Sequence, residues 1–245
     1  MRKAILLAAL LPLSAFAQSD GQNVGEAIVS VKQVALKLNE VSAPLGVGDA
    51  VKFGGVVSTG AESANVNLFD DGTKLSVGPN STVAIDKYVY SEGGSGEAAL
   101  SLTRGTLRLV SGRISGDSVR IDTPNAHIGI RGTRFVLEYQ PSSGTLVVVE
   151  DGAVAFSSKS GGTVEVARGQ ASRVTRGDPS APEAPAAPDV AVVAALNTSV
   201  ALNAAPALGL SEVAEDVASS ASAASASAAS TPSADTADYG GDGRY

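Results

Sequence analysis

With one histidine and no cysteine in 245 residues, the chain lacks the ligand sets of ordinary zinc and copper centres and cannot staple itself with disulfides. Its formal net charge of -7 is unevenly laid: thirteen Lys and Arg balance thirteen Asp and Glu between Leu45 and Arg176, whereas Gly177 to Tyr245 carries nine acids against Arg244 alone. A neutral body offers no electrostatic footprint for nucleic acid, so the acidity belongs to the tail and nucleic acid is not an expected partner.

Arg2 and Lys3 open the chain, Ala4 to Leu13 is a short apolar run, and Ala15-Phe16-Ala17 follows as a small-x-small site. This is the pattern of a secretory signal peptide over residues 1–17, with a mature chain expected to begin at Gln18. The run is shorter than the about 20 residues that a bilayer requires. A periplasmic or secreted protein is expected, with no membrane span in the mature chain.

Residues 18–176 read as one β domain, its core at about 45–154. Apolar residues come in alternating pairs, as at Val66 and Leu68, Leu75 and Val77, Val83 and Ile85, Leu100 and Leu102, Leu107 and Leu109, and Val119 and Ile121; a period of two marks half-buried strands. Turn signals separate them: Asp71-Gly72, Gly78-Pro79-Asn80, Ser111-Gly112, Ser143-Gly144 and Asp151-Gly152. Gly-Thr recurs at Gly72, Gly105, Gly132, Gly144 and Gly162 without a fixed period, which predicts repeated turn-to-strand entries and no strict repeat. Leu146 to Val149 is apolar on both faces and predicts a central strand covered on both sides. The expected class is all-β, an irregular β-roll or solenoid-like fold or a compact sandwich of many short strands.

The stretch Asp122 to Phe135 organises this domain. Ala126, Ile128 and Ile130 occupy even positions, and then Phe135, Leu137 and Tyr139 occupy odd ones. Because side chains alternate strictly across a strand, this change of parity needs an irregular residue, and Gly132 is the natural place for a bulge or corner, with Gly129 beside it.

From Gly177 on, Pro179, Pro182, Pro185 and Pro188 crowd together and alanine and serine dominate. Such a segment buries too little surface to offset its ordering entropy, so 177–245 reads as a disordered acidic tail. Within it, Val190 to Leu210 is apolar but broken by Asn197, Asn203 and Pro206, which fits a transient helix capped by Asp189 better than a membrane helix.

The ordered set Val47-Gly48-Asp49, Ser58-Thr59-Gly60, Asp70-Asp71-Gly72-Thr73, Gly78-Pro79-Asn80-Ser81 and Thr123-Pro124-x-Ala126-x-Ile128-Gly129-Ile130-Arg131-Gly132-Thr133 resembles the FecR domain, a family named after the periplasmic part of an iron-dicitrate regulator. The resemblance is strong over about Leu45 to Val154. It implies a β-rich extracytoplasmic domain and supplies no catalytic residues. In the regulator that names the family, a cytoplasmic segment handling a sigma factor and one membrane helix precede such a domain; here a cleavable signal is expected in their place.

Specific chemistry is expected to be sparse. Asp70 and Asp71 lack the Asp-x-Asp-x-Asp-Gly spacing of a calcium loop and read as a hairpin turn. No Gly-x-Ser-x-Gly elbow accompanies His127, and no phosphate loop occurs. Catalytic, metal and cofactor sites are therefore not expected. Arg131 and Arg134 flank the Gly132 corner and, with His127, are the candidate partner contacts; two guanidinium groups could hold a carboxylate or phosphate, or pin the corner through Asp122 or Glu138, and the structural role is preferred. Lys74, Arg104, Arg108 and Arg120 read as solvated strand faces. The expected function is a non-enzymatic binding or scaffolding module of the bacterial cell envelope, its partner an envelope protein or cell-wall glycan. The alternative is an extracytoplasmic signalling regulator acting with a sigma factor or receptor system.

Overall fold

The computed structural model describes residues 21–91, 95–114 and 118–208, without the side chains of Arg131 and of residues 199–208. The signal peptide, the cleavage site and the tail beyond Leu208 lie outside the described residues.

Three 15-residue strands form the frame: β9 (Gly96–Val110), β11 (Ala126–Gln140) and β12 (Gly144–Ser158). Each changes partners half-way, so one 14-stranded sheet folds over into two facing halves. In the upper half, β3 (Val41–Pro44), β2 (Val34–Leu38), β5 (Val56–Thr59) and β8 (Thr82–Tyr90) lead to the first part of β9. The path continues through β10 (Val119–Asp122) and the first part of β11 to the second part of β12 and β13 (Gly161–Ala167). In the lower half, β4 (Ala50–Lys52), β1 (Asn23–Val31), β6 (Ala64–Phe69) and β7 (Lys74–Val77) lead to the second part of β9. Beyond it come the second part of β11, the first part of β12, and β14 (Ala171–Val174). The fold is thus a compact sandwich whose two layers share their central strands.

Glycines sit where the long strands bend. Gly105, Gly132 and Gly152 all have positive φ, at 90°, 57° and 77°, and the ladder of β11 with β12 shifts register between Arg131 and Phe135. The φ of Gly132 lies in the left-handed region that side chains disfavour, and the bulge there turns Ile130 and Phe135 to the same core despite their opposite parity. Two readings of the sequence are corrected at these corners. Asp151-Gly152 lies inside β12 and is no turn, and Gly105 and Gly132 open no new strand. Gly129 stays in regular register with Arg120 and Ala155 and takes no part in the corner. True hairpins behave locally: Gln140 to Ser143 turns with Pro141 in second place, and Gly144 follows at φ 77°, the arrangement of a three-residue hairpin with a left-handed exit.

One apolar core fills the space between the layers. Ile85, Leu102, Ile121, Ile128, Ile130 and Phe156 face Leu75, Leu107, Leu109, Phe135, Leu137 and Val147, all buried. A second, smaller cluster lies on the far side of the lower half, where Val29, Val66, Val136, Leu146 and Val148 meet Val193 and Leu196 of helix α1 (Ala187–Leu208). The alternation Leu146-Val147-Val148-Val149 accordingly divides between the two clusters, as a strand covered on both faces requires.

The second cluster overturns three expectations. Val66 points to α1 and not to the central core; on β6 the positions facing the core are Asn65, Asn67 and Phe69, and Asn65 is retained there because its amide donates to the Val29 carbonyl at 2.8 Å and accepts from Asn67. Arg108 is buried, its Nε 2.9 Å from Glu150 Oε2, and belongs to no solvated face. The stretch expected to be disordered from Gly177 is ordered as far as Leu208: the Glu183 and Ala171 backbones bond in both directions, Arg173 donates to Asp189 at 2.9 Å, and Asp189 accepts from the Ala186 amide at the helix start. Composition missed this because Val192, Val193 and Leu196 suffice to dock one short stripe, and a tertiary contact outweighs a weak intrinsic preference. Among the described residues no helix is long and apolar enough to cross a membrane.

Candidate functional site

The motif around the corner is built for folding first. Thr123 is buried, accepts from the Ala126 amide at 3.0 Å and meets the Thr145 hydroxyl at 2.7 Å. Asn125 donates to the Val174 carbonyl at 2.9 Å, so the β10–β11 turn is tied to β12 and β14. Ala126, Ile128 and Ile130 fill the core, and Thr133 exchanges backbone and hydroxyl bonds with Ser111 at 2.8 to 3.2 Å. Apart from the bond between Thr123 and Ala126 inside the turn, these bonds join segments about twenty or more residues apart in sequence, which is a structural use of Thr and Asn.

The candidate contacts do not converge. His127 lies on the outer face of the upper half, 47% exposed, with Nδ1 2.5 Å from Asp122 Oδ1; Arg120 Nε approaches the other carboxylate oxygen at 3.1 Å. Arg134 lies beyond the corner, where its backbone pairs with Val110 and Asp151 in the lower half. The backbone of Arg131 pairs with Ala153 before the corner, and its side chain lies outside the described residues. His127 and Arg134 therefore lie in different halves of the sandwich, on either side of the register shift in the β11–β12 ladder.

Cross-strand register sets Asp122, His127 and Ser157 in one row across β10, β11 and β12. These are the residue types of a hydrolytic triad in the right order, yet the Ser157 hydroxyl bonds to Thr163 at 2.9 Å, on an exposed sheet face. With its hydroxyl turned to Thr163, Ser157 is not placed as a nucleophile for His127 to activate. Among the described residues no group of three or more His, Asp or Glu could hold a metal ion.

A feature that sequence reasoning missed is Asp71. Its buried carboxylate receives the Thr73 amide at 3.0 Å, the Thr73 hydroxyl at 2.7 Å, the Tyr88 hydroxyl at 3.1 Å and the Ile114 amide at 3.3 Å. The Asp-Gly-Thr turn thus ties the β6–β7 hairpin to β8 and to the loop after β9. Burial, reinforced by the Asp71 charge, pushes the Tyr88 phenol well above its ordinary range. The signal available in the sequence was Asp71 two residues before Thr73, the spacing at which an Asp side chain caps its own turn. A groove of about 550 Å³ beside the β2–β3 hairpin is walled by Gln33, Ala35, Pro44, Ser58 and Gly60. The hairpin's two-residue turn, Asn39-Glu40, has both φ values positive, as a tight primed turn demands.

The two sheet halves present different surfaces. The outer face of the lower half is covered by α1, and the edge of β14 is bonded by Ser180 and Glu183. The outer face of the upper half is open: Ala155 and Glu165 are exposed in one register row with Arg120 and Gly129, and Thr163 lies in the row of His127 and Ser157.

The family model described as FecR protein matches residues 55–155, from the start of β5 through the second half of β12. Two crystal structures of a "putative anti-sigma factor" from Parabacteroides distasonis ATCC 8503 are similar to the chain, each at 14% identity and a TM-score of 0.45. The match covers 56% of this chain and 62% of theirs, so the chain spans less than two thirds of those structures. No curated protein matches the sequence.

Proposed function

Taking as premise that residues 55–155 are a FecR domain, we propose that the chain is an exported, non-enzymatic protein-binding module of a FecR-type regulatory system. It acts outside the cytoplasm with a receptor or sigma-factor system. The family match is the observation that carries this reading, and it supports the regulator over the non-signalling scaffold favoured by composition and signal peptide alone. The geometry is consistent with it. The motif residues are spent on folding, the candidate contacts are spread over an open sheet face, and a flat face suits a protein partner better than a small substrate, which needs a concave site.

Deleting the gene and sequencing total RNA tests the proposal. A defined group of transcripts should change at least tenfold and return when the exported chain is restored. An unchanged transcript profile combined with altered sensitivity to detergent would replace the regulator with the envelope scaffold. Mass spectrometry of the native protein tests export, the expected N-terminus being Gln18.

A further inference from the structure

The open edge of β13 has a definite hydrogen-bonding phase. Ala167 donates its N–H to the Gln170 side chain at 2.9 Å, and its carbonyl accepts from the Gln170 amide at 3.0 Å. Both groups of Ala167 therefore point away from β12, which makes Ala153 and Ala167 a non-bonded pair of the antiparallel ladder. Since the phase alternates along a strand, Thr163 and Glu165 also aim their N–H and C=O outward. Both residues are exposed. The window has walls: the Gln170 turn closes it beyond Ala167, and at the other end Asp178 crowds Gly162 while the Ser160 hydroxyl bonds the Gly177 carbonyl at 3.1 Å.

The matching edge of the lower half shows what such an edge holds. There the chain's own extended stretch pairs with β14, through Ser180 to Arg173 and Glu183 to Ala171. At β13 no segment of the described chain does so. An uncovered strand edge is a template for strand addition.

We propose that β13 is the partner-docking edge, and that it takes one short extended segment of another protein, bonded through Thr163 and Glu165 and carrying a lysine or arginine opposite Glu165. The segment would continue two rows of the outer face, Arg120-Gly129-Ala155-Glu165 and Asp122-His127-Ser157-Thr163. A cation beside Glu165 gains a cross-strand pair there. A second copy of this chain fits worse. A twofold about Val164 would bring the Gln170 turn of one copy against the Gly177-Asp178 segment of the other. This inference deepens the protein-binding reading above and rests on it.

The test uses the mature full chain and a capped nine-residue peptide alternating threonine and valine around a central lysine. Binding should slow amide exchange at Thr163 and Glu165 at least tenfold by NMR. Glu165→Pro removes only an outward donor, so it should weaken the peptide at least tenfold with little change in melting temperature. Glu165→Lys should do the same and regain binding to the peptide with central glutamate, which keeps the test open should the proline variant misfold. The proposal is overturned by protection elsewhere than these two amides, by binding indifferent to both variants, by no binding at millimolar peptide, or by a dimer in sedimentation that Glu165→Pro abolishes. None of these results bears on the RNA measurement, so loss of the edge and loss of the regulatory reading are told apart.

Discussion

The two halves of the sandwich are made from the same three long strands, yet one is sealed and the other is bare. Below the corners, β11 and β12 carry Val136, Leu146 and Val148 outward under α1, and the β14 edge is closed by residues 180–183. Above the corners the same strands carry His127, Gly129, Ala155 and Ser157 outward, with no element over them among the described residues. The core is common to both, and the lower half adds a second apolar cluster under α1 that the upper half does not have among the described residues. A sealed face behaves as interior and a bare, polar and small-residue face as interface. The lower half is covered by α1, and the docking edge proposed above belongs to the upper.

The sharpest way to break this contrast is to put a charge on each face. Val148→Lys buries an ammonium under α1 and should cost about 4 kcal/mol or more, if the chain folds at all, read by chemical denaturation. Next come the corners, which both halves share. At Gly105 an added Cβ would lie 2.2 Å from Ser81 Oγ and 2.6 Å from Ser81 Cα at φ 90°, so Gly105→Ala should cost about 3 kcal/mol. At Gly132 nothing lies within 4 Å of the added Cβ, and Gly132→Ala should cost only about 1 kcal/mol, from backbone strain.

Leu196 is buried against Gly78 on the sealed face. Leu196→Ala should cost about 2 kcal/mol and speed hydrogen exchange in α1, while the amides of β9 and β11 in the shared core keep their protection. Smaller again is the effect of Tyr88. Its folded pKa is raised above the ordinary 10.0, so between the two values the unfolded chain has lost a proton that the folded chain keeps. Stability should therefore be complete below pH about 10 and fall by about 1.4 kcal/mol per pH unit above it. Tyr88→Phe should cost about 1 kcal/mol at neutral pH and flatten that alkaline slope. The smallest effect is expected from Ala155→Lys on the bare face, within about 0.5 kcal/mol, since the new ammonium stays in water.

How much of this could be read from the chain depends on how local each cause is. The parity change between Ile130 and Phe135 is visible in the sequence because alternation is a property of one strand, and the chain bends there at Gly132. The two-sided strand at Leu146 to Val149 is visible for the same reason. What the sequence hides is which face a second element will cover. Val66 and Arg108 were read by alternation against a single core; α1 adds a second apolar layer, so Val66 serves that layer, and the same side of the sheet buries Arg108 with Glu150. Gly152 looked like a turn because Asp-Gly usually is one, and only the pairing of β12 on both sides of it makes it a corner. Alternation with Ala126, Ile128 and Ile130 turns His127 to the face opposite the core, but nothing in one chain's periodicity could set Asp122 and Ser157 on either side of it.

The long β11–β12 hairpin has a consequence for the order in which the chain acquires its shape. Its two strands pair from Gln140 and Gly144 to Ala126 and Ser158 across a three-residue turn, so it has the cheapest loop closure of any long ladder here. β1 must find β6 across some forty positions, and rates fall as such separations grow. Folding is therefore expected to begin at this hairpin, with high φ-values at Val136 and Val147 and low ones at Val29. A chain made from its N-terminus delivers this nucleus late, after ten strands have already emerged. Those strands wait with their edges unpaired, and the period before residue 158 appears is when the protein most needs protection from aggregation.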